Sequence, residues 1–325
     1  MPKLNLALQG GGAHGAFTWG ALDRLLEESD LEFDRISGTS AGALNGAALV
    51  SGFSEGGRVG AKKRLAALWR QLALAGIPFS MLLLPLRKPS LGVWDDGMPL
   101  VSPYAANPLG MAPLRLVLGQ LIDERAFRDP SAPKLHVNAV SVQTGANRVF
   151  GPREVTIDAL LASACAPLVF QAVRIEDQSY WDGSYGANPT LLPLFQGQQD
   201  VDIFLVELTP LLRAETPMSA KNILNRINEM ASINALKTEL REVANVNAGG
   251  ERVRMHVLSL PSEGSDMAME PSIKRSVGLE LFEALRQAGH AACDRWLQTH
   301  RGDLGVNSTI DMQQYLPTLR SNGFR

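Results

Sequence analysis

A run of glycines between a predicted strand and a predicted helix restricts the fold more than any other feature of this sequence. Residues 4–17 read LNLALQGGGAHGAF, in which apolar residues lead into Gly10, Gly11 and Gly12, with a further glycine at Gly15. Backbone N–H groups at such a helix start bind phosphates and other oxyanions. The spacing also fits the G-x-G-x-x-G turn of dinucleotide-binding proteins. The segment therefore predicts either a cofactor cradle or an oxyanion-binding loop.

A second strand–turn–helix unit carries a serine. Residues 33–52 read FDRISGTSAGALNGAALVSG, and Gly38, Ser40 and Gly42 form the G-x-S-x-G pattern. A nucleophile on such an elbow has a strained backbone, and bulky residues two positions away would clash with it. The helix that follows favours negative charge at its N-terminus. Ser40 is therefore the predicted nucleophile, and the competing interpretation is a serine that caps a helix in a tight turn.

The position of this serine argues against the α/β-hydrolase fold. In that fold the nucleophile follows several strands and the triad runs serine, acid, histidine. Ser40 follows at most two predicted strands. A base of another kind is therefore expected.

An aspartate in the stretch YWDGSYGANP, residues 180–189, is the candidate base. By itself Asp182-Gly183 indicates a turn. Combined with a serine elbow, a carboxylate within hydrogen-bonding reach could take the hydroxyl proton directly, so that a dyad replaces a triad. Tyr180 and Trp181 could shield Asp182 from water and raise its basicity.

The rest of the chain alternates predicted strands and helices, which indicates an α/β layer fold with a largely parallel sheet. Strands are predicted at 4–9, 134–143, 148–150, 202–208 and 253–260, and helices at 14–28, 58–75, 114–122, 157–164, 219–247 and 272–299. Apolar stripes on the last two helices predict core or oligomer faces. They comprise Ile223, Ile227, Met230, Ile233, Leu236, Leu240, Leu279, Leu281, Phe282 and Leu285.

The pattern breaks at 76–113, where seven prolines predict a loop-rich insertion. Its apolar side chains, including the run SMLLLPL, could form a lid or an acyl-chain wall. Residues 78–94, with Arg87 and Lys88 beside the apolar run, could make transient contact with a membrane surface. The same residues could equally cover a sheet edge or form a contact between copies of the chain.

The amino-acid composition of the chain argues against several classes of function. The chain has 325 residues, 45% of them hydrophobic, and a net charge of −2 without a long basic run, which argues against nucleic-acid binding. The histidines lack metal-ligand spacing, so no zinc site is expected. Two distant cysteines, Cys165 and Cys293, fit a reduced compartment. No signal-peptide pattern precedes the first strand, which predicts a cytoplasmic protein, peripheral to a membrane at most.

Three ordered motifs together resemble the patatin-like phospholipase family of lipid acyl hydrolases. They are GGGAHG at 10–15, GTSAG at 38–42 and DGS at 182–184. The stretch 157–189 also resembles the family's approach to its aspartate, and the resemblance covers roughly residues 4 to 210. It implies a three-layer α/β/α sandwich with a largely parallel central sheet. The expected division is a core at 1–210, containing the insertion at 76–113, and an extension at 211–325 packed on the same domain.

The resemblance also implies the site. Ser40 would be the nucleophile, Asp182 the base, and the backbone at Gly10, Gly11 and Gly12 the oxyanion hole, without metal or organic cofactor. The supporting motif residues are His14, Gly15, Gly38, Gly42 and Gly183. The chain departs from the family in having His14 where arginine or lysine is usual, and Ser184 where glycine or alanine is usual.

The expected reaction is hydrolysis of phospholipid or related carboxylic esters through an acyl-enzyme. A general carboxylesterase or thioesterase, or a polyhydroxyalkanoate depolymerase, would use the same residues. A non-catalytic interaction protein and a homo-oligomer also stay open. The dinucleotide alternative requires an acidic residue at the end of the second strand. Asp34 is expected before that strand, which makes this alternative remote.

Overall fold

One mixed sheet organises the molecule. The computed structural model describes residues 3–83, 102–209, 216–218, 220–261 and 278–316. In these ranges eight strands form the sheet, and successive hydrogen-bonded neighbours are β5-β6-β3-β2-β1-β7-β8. Along β3, β2 and β6 occupy one edge in succession, and β4 occupies the other edge. The strands are β1 (Lys3–Leu8), β2 (Glu32–Gly38), β3 (Lys134–Ser141), β4 (Asn147–Phe150), β5 (Val173–Ile175), β6 (Gln178–Asp182), β7 (Asp200–Glu207) and β8 (Arg252–Ser259).

The five long strands are parallel, and the three short ones complete the sheet in antiparallel pairs. β1 pairs in parallel with β2 and β7, β2 pairs with β3, and β7 pairs with β8. β4 and β6 are antiparallel to β3, and β5 is antiparallel to β6. The largely parallel sheet expected from the alternation of elements is confirmed.

Helices cover both faces of this sheet. The helices are α1 (Gly15–Leu25), α2 (Ala41–Leu83), α3 (Pro103–Ala106), α4 (Ala112–Leu121), α5 (Ile157–Ser163), α6 (Leu192–Phe195), α7 (Ala220–Ala248), α8 (Leu279–His300) and α9 (Met312–Tyr315). Residues of α1, α2, α4, α5 and α8 share one core cluster with the sheet, and residues of α6 and α7 share another. In β1, Leu4, Leu6 and Leu8 face the first cluster and Ala7 the second, as strand alternation requires. This is the expected three-layer arrangement.

The region predicted as a loop-rich insertion is partly helical. α2 bends at Gly56 and Gly57 and continues through Pro78 to Leu83, and α3 and α4 follow within 103–121. Pro103 and Pro113 lie in the first turns of their helices, where a missing N–H costs no hydrogen bond. The prediction of a loop-rich insertion, which was based on the number of prolines, therefore underestimated the helical content of residues 76–113. Residues 84–101 and the side chains of 76–83, on which the lid and membrane-contact predictions depend, lie outside the described part.

The expected position of Asp34 needs correction. Asp34 lies within β2, because the strand begins at Glu32, and its carboxylate accepts a hydrogen bond from Gln198 Nε2 at 2.8 Å. It is thus not at the strand end where a ribose would bind. On α7, Ile233, Leu236 and Leu240 are buried, but the amino-terminal part of the predicted stripe is exposed. The exposed residues are Ile223, Ile227 and Met230.

The chain after residue 210 continues the same architecture. β8 pairs with β7 along its whole length, and α8 packs against α1. Cys165 and Cys293 are buried free thiols. No helix in the described ranges is both long and apolar enough to span a membrane. The division into a 1–210 core and a 211–325 extension stays a prediction.

Candidate active site

Ser40 occupies the predicted elbow between β2 and α2. Its φ of 52° lies in the left-handed region, which is strained for a residue with a side chain. The turn is held by hydrogen bonds from Thr39 N–H to the Leu8 carbonyl at 3.2 Å and from Ser40 N–H to Ser163 Oγ at 2.9 Å. Because α2 begins at Ala41, its N-terminus is directed at the serine and favours negative charge there.

The ends of β2 and β6 meet along one edge of β3. Val137 pairs with Gly38 and Ala139 pairs with Asp182, while β4 occupies the opposite edge at both positions. β2 runs parallel to β3 and β6 runs antiparallel to it, so their carboxyl ends approach each other. This register brings the serine elbow and the aspartate loop together although they are 142 positions apart in the sequence.

Asp182 is a buried carboxylate that faces Ser40. Its exposed fraction is 7%, and Oδ1 accepts the Ser184 N–H at 2.8 Å. Burial raises the pKa of the Asp182 carboxyl above its ordinary value, whereas hydrogen bonds from the Ser184 N–H, the Ser184 hydroxyl and the Ser40 hydroxyl lower it. A carboxylate with raised basicity beside a serine hydroxyl has the properties of a general base.

The glycine loop lies directly against the serine. A Cβ placed on Gly10 would lie 2.8 Å from the Ser40 Cβ, so only glycine fits there. Gly12 has a φ of 57° and begins a 3₁₀ turn that leads into α1. Among the described residues, no hydrogen-bond acceptor is recorded for the N–H groups of Gly11 and Gly12. Both residues line the same cavity as Ser40.

Gly10 differs from the other two glycines in that both of its backbone groups have an internal partner. Its N–H donates to Asn188 Oδ1 at 2.7 Å, and its carbonyl accepts from Asn188 Nδ2 at 3.3 Å. An N–H engaged in a short internal bond must give up that bond before it can serve another acceptor. Gly11 and Gly12 are the glycines of this loop whose N–H groups have no such internal acceptor among the described residues.

The supporting motif residues pack where the turns approach other backbone. A Cβ on Gly42 would lie 2.0 Å from the Leu8 carbonyl oxygen, and one on Gly183 would lie 2.4 Å from the Asn138 carbonyl oxygen. Gly38 contacts the first turn of α2 in the same way, and Gly15 abuts Ala41. His14 is buried within the 3₁₀ turn, with an exposed fraction of 3%.

A cavity of about 190 Å³ opens at this edge of the sheet. Its floor holds the glycine loop, Ser40 and Asp182, and one wall comes from α7. The α7 residues are Asn228, Glu229 and Ser232. Glu229 is buried and lies 3.3 Å from Arg226. The described residues include no group of three or more His, Cys, Asp or Glu side chains placed to hold a metal ion.

Sequence reasoning missed the amides and hydroxyls that hold the site together. Asn138, Ser163 and Ser232 are buried polar residues bonded to the elbow, the aspartate loop or Asn188. The only available signal was an asparagine in the middle of the apolar strand KLHVNAVS. A buried polar side chain needs hydrogen-bond partners, so its presence in a strand indicates a network.

Comparison with known proteins gives a family match. A family model for patatin-like phospholipase matches residues 6–195, which is more than half of the chain. Among curated proteins, none matches the sequence significantly. The chain has a structural likeness to VipD from Legionella pneumophila, with a TM-score of 0.42 and 14% identity, over 92% of this chain and 67% of VipD.

The effector ExoU gives a similar result. Its likeness has a TM-score of 0.35 and 20% identity, over 90% of this chain and 53% of ExoU. For ExoU in its heterodimeric complex with SpcU, from the type III secretion system of Pseudomonas aeruginosa, the TM-score is 0.35 and the sequence identity 17%. This likeness covers 91% of this chain and 52% of the other chain. This chain therefore spans about half the length of ExoU. Because the family model covers more than half of the chain, the chain belongs to the patatin-like phospholipase family and is a hydrolase of the lipid-ester class.

Proposed function

We propose that this protein is a serine lipid acyl hydrolase that cleaves carboxylic esters of phospholipids through a Ser40–Asp182 dyad and an acyl-enzyme. The observation that carries the proposal is the placement of the Ser40 hydroxyl, on a strained elbow, beside the buried carboxylate of Asp182 in one cavity. Both side chains line one cavity with the glycine loop. Nucleophile, base and oxyanion donors are the groups that acyl transfer requires.

The reaction follows from this geometry. Asp182 accepts the Ser40 Oγ proton as the oxygen attacks the ester carbonyl, and the N–H groups of Gly11 and Gly12 hold the tetrahedral oxyanion. The alcohol leaves with the proton from Asp182, and the acyl group stays on Ser40. Asp182 then takes a proton from water, whose oxygen attacks the acyl ester and releases the fatty acid. The proton returns to Ser40, so that the enzyme is regenerated.

Two substitutions with matched controls test the dyad. Ser40→Ala and Asp182→Asn should abolish fatty-acid release from phospholipid vesicles while the circular dichroism spectrum stays unchanged. Ser131→Ala and Asp177→Asn remove an exposed hydroxyl and an exposed carboxylate and should leave turnover intact. A fluorophosphonate probe should label the wild type at Ser40. Turnover retained by the Ser40→Ala protein would refute the assignment.

The identity of the ester is tested by competition among substrate classes. A general esterase or thioesterase and a polyhydroxyalkanoate depolymerase would use the same dyad. Initial rates on phosphatidylcholine vesicles, short p-nitrophenyl esters, acyl-thioesters and 3-hydroxybutyrate oligomers compare them directly. We expect the highest kcat/KM on phospholipid. A higher value on the oligomers would assign the dyad to polymer turnover.

We also propose that residues 78–94 bring the protein to lipid surfaces. The support is the apolar run at 81–86 with Arg87 and Lys88 next to it. Leu84→Asp combined with Leu86→Asp should reduce co-sedimentation with phospholipid vesicles and leave hydrolysis of a soluble short-chain ester unchanged. Equal co-sedimentation of variant and wild type would exclude this contact.

A further inference from the structure

The side-chain amide of Asn188 binds both backbone groups of Gly10. We propose that Asn188 is a positioning residue that aims the oxyanion donors, and that Ser232 on α7 holds Asn188 in place. The proposal rests on the proposed function, since an oxyanion must form at the glycine loop. It assigns a role to α7, which lies after the segment 6–195 that the family model matches.

Asn188 is bonded through every polar atom of its side chain. Oδ1 accepts the Gly10 N–H at 2.7 Å, and Nδ2 donates to the Gly10 carbonyl at 3.3 Å and to Ser232 Oγ at 2.6 Å. The side chain thus fixes both backbone groups of one residue. With an exposed fraction of 1%, Asn188 has no water to replace these partners.

A second side-chain amide, that of Gln9, holds the loop from the other side, and the amides of Asn188 and Gln9 together are called the clamp. Gln9 Nε2 donates to the Asn188 carbonyl at 3.1 Å, and Gln9 Oε1 accepts the N–H groups of Leu208 and Thr209 at 2.8 and 3.1 Å. Gln9 and Gly10 are therefore hydrogen-bonded to Asn188, and Gln9 is also hydrogen-bonded to the residues that follow β7. The peptide planes of Gly11 and Gly12 follow directly, so their N–H directions depend on this clamp.

The orientation of Gly10 has a chemical consequence. Turning its N–H towards Asn188 removes it from the cavity and leaves the next two N–H groups for the substrate oxygen. Gly10 is also closely packed on its side-chain side, because Ser40 Cβ and Ser184 Oγ lie 2.8 and 3.0 Å from the position of its missing Cβ. A change in Asn188 is thus transmitted to the donors that stabilise the transition state, while the dyad itself is untouched.

Ser232 connects this clamp to α7. It is buried with an exposed fraction of 6%, and its hydroxyl is the outer partner of Asn188 Nδ2. Loss of that hydroxyl leaves the bonds to Gly10 in place, whereas Asn188→Asp keeps an acceptor for the Gly10 N–H and brings a carboxylate oxygen to the Gly10 carbonyl. The two substitutions therefore disturb the same loop to different degrees.

The test compares kcat and KM of these variants on a soluble ester, together with their melting temperatures. Asn188→Asp should lower kcat by about 10- to 100-fold with KM nearly unchanged, somewhat less than the full loss of an oxyanion donor. Ser232→Ala should lower kcat by roughly 3- to 10-fold, because Asn188 Nδ2 loses one hydrogen-bond partner. Ser232→Thr keeps a hydroxyl at this position and should retain the kcat of the wild type. Thr238→Ala, which removes an exposed hydroxyl from the same helix, should have no effect.

The outcomes separate the clamp from the proposed function. Unchanged kcat in Asn188→Asp and Ser232→Ala, with an active wild type, would overturn the clamp alone. Lower melting temperatures without a loss of kcat would overturn it as well, since they indicate a purely structural role. A wild type that neither hydrolyses esters nor reacts with a fluorophosphonate would overturn the proposed function and the clamp together.

Discussion

The side-chain amide of Asn138 donates to the carbonyl oxygen of Gly183 at 3.2 Å, next to the aspartate of the candidate site. The Oδ1 atom of the same amide accepts the hydroxyl of Thr39, next to Ser40. Asn138 stands on β3 between the residues that pair with Gly38 and Asp182. One buried side chain therefore links the elbow to the aspartate loop at the point where two strand ends meet.

Replacing Asn138 by alanine should impair both stability and turnover. Its amide also donates to the Ala187 carbonyl at 2.9 Å, and each buried group left without a partner costs about 1–3 kcal/mol. We expect a melting temperature several degrees lower, roughly as a loss of this size produces, and a lower kcat in the protein that remains folded. A thermal unfolding curve measures the change in melting temperature, and steady-state kinetics below the melting transition measures kcat.

The control for Asn138 is its exposed neighbour. Asn147 Oδ1 accepts from the same amide at 3.0 Å, so Asn147→Ala removes one partner but keeps the links to Thr39 and Gly183. It should retain nearly full kcat. A folded Asn138→Ala protein with wild-type kcat would show that the register of the strands alone spaces the two side chains.

The activity should fall in acid with a midpoint above the ordinary aspartate pKa of 3.8. Burial raises the pKa of Asp182, and the base works only when ionised, so kcat/KM should rise with pH through that value. The hydroxyl of Ser184 lowers the pKa of Asp182. Ser184→Ala should therefore move the acid limb to higher pH. A profile of kcat/KM between pH 4 and 8, on protein shown to be folded throughout, measures both effects.

Two results would contradict this assignment of the acid limb. Full activity at pH 4 would mean that Asp182 is not the base or is not desolvated. A Ser184→Ala profile identical to that of the wild type would mean that the hydroxyl does not stabilise the carboxylate. Asp177→Asn, which alters an exposed carboxylate on the turn before β6, is the control and should leave the midpoint unchanged.

A buried glutamate at the end of β7 should make stability depend on pH near neutrality. Glu207 has an exposed fraction of 5%, and burial raises its pKa to about 7, with only the Ser259 hydroxyl at 2.6 Å opposing the shift. Between pH 4.5 and about 7 the folded state binds more protons than the unfolded state. The free energy of unfolding should therefore fall as pH rises, by up to about 3 kcal/mol from this residue.

Glu207→Gln should remove that dependence, because a neutral amide does not titrate. Urea unfolding at pH 5, 6, 7 and 8 measures the difference between variant and wild type, which cancels the contribution of other groups such as Asp182. We expect the variant to gain stability relative to the wild type as pH rises. Glu251→Gln, on an exposed turn, serves as the control. A difference that stays constant with pH would show that Glu207 is not protonated in the folded protein.

The order of elements and both local turns could be predicted from sequence, because each depends on residues close together in the chain. Gly10, Gly38 and Gly42 are needed for close approach to neighbouring atoms and Gly12 for its positive φ, and a run of glycines indicates such requirements in the sequence itself. The pairing of Ala139 with Asp182 could not be predicted, because strand register depends on contacts across the whole sheet. The hydrogen bond from the Gly10 N–H to Asn188 is equally long-range, which is why the glycine pattern alone could not predict it.

The contact between α1 and α8 should tolerate no side chain at its centre. A Cβ on Gly289 would lie 2.0 Å from the Phe17 carbonyl oxygen, and one on Gly20 would lie 1.9 Å from the Arg286 carbonyl oxygen. Both obstacles are backbone atoms, so the helices must separate. Gly289→Ala should therefore destabilise the protein by about 3 kcal/mol or more, at the upper end of overpacking effects.

A glycine in an open part of another helix provides the matched control. Gly119 lies in α4 with no atom within 4 Å of its missing Cβ, so Gly119→Ala should stabilise the protein by about 0.5–1 kcal/mol through helix propensity alone. Urea unfolding of both variants measures the contrast. Because α1 begins directly after the glycine loop, Gly289→Ala should also lower kcat, although residue 289 lies far along the chain from Ser40. Equal stability of Gly289→Ala and wild type would mean that α8 does not pack on α1 in this way in solution.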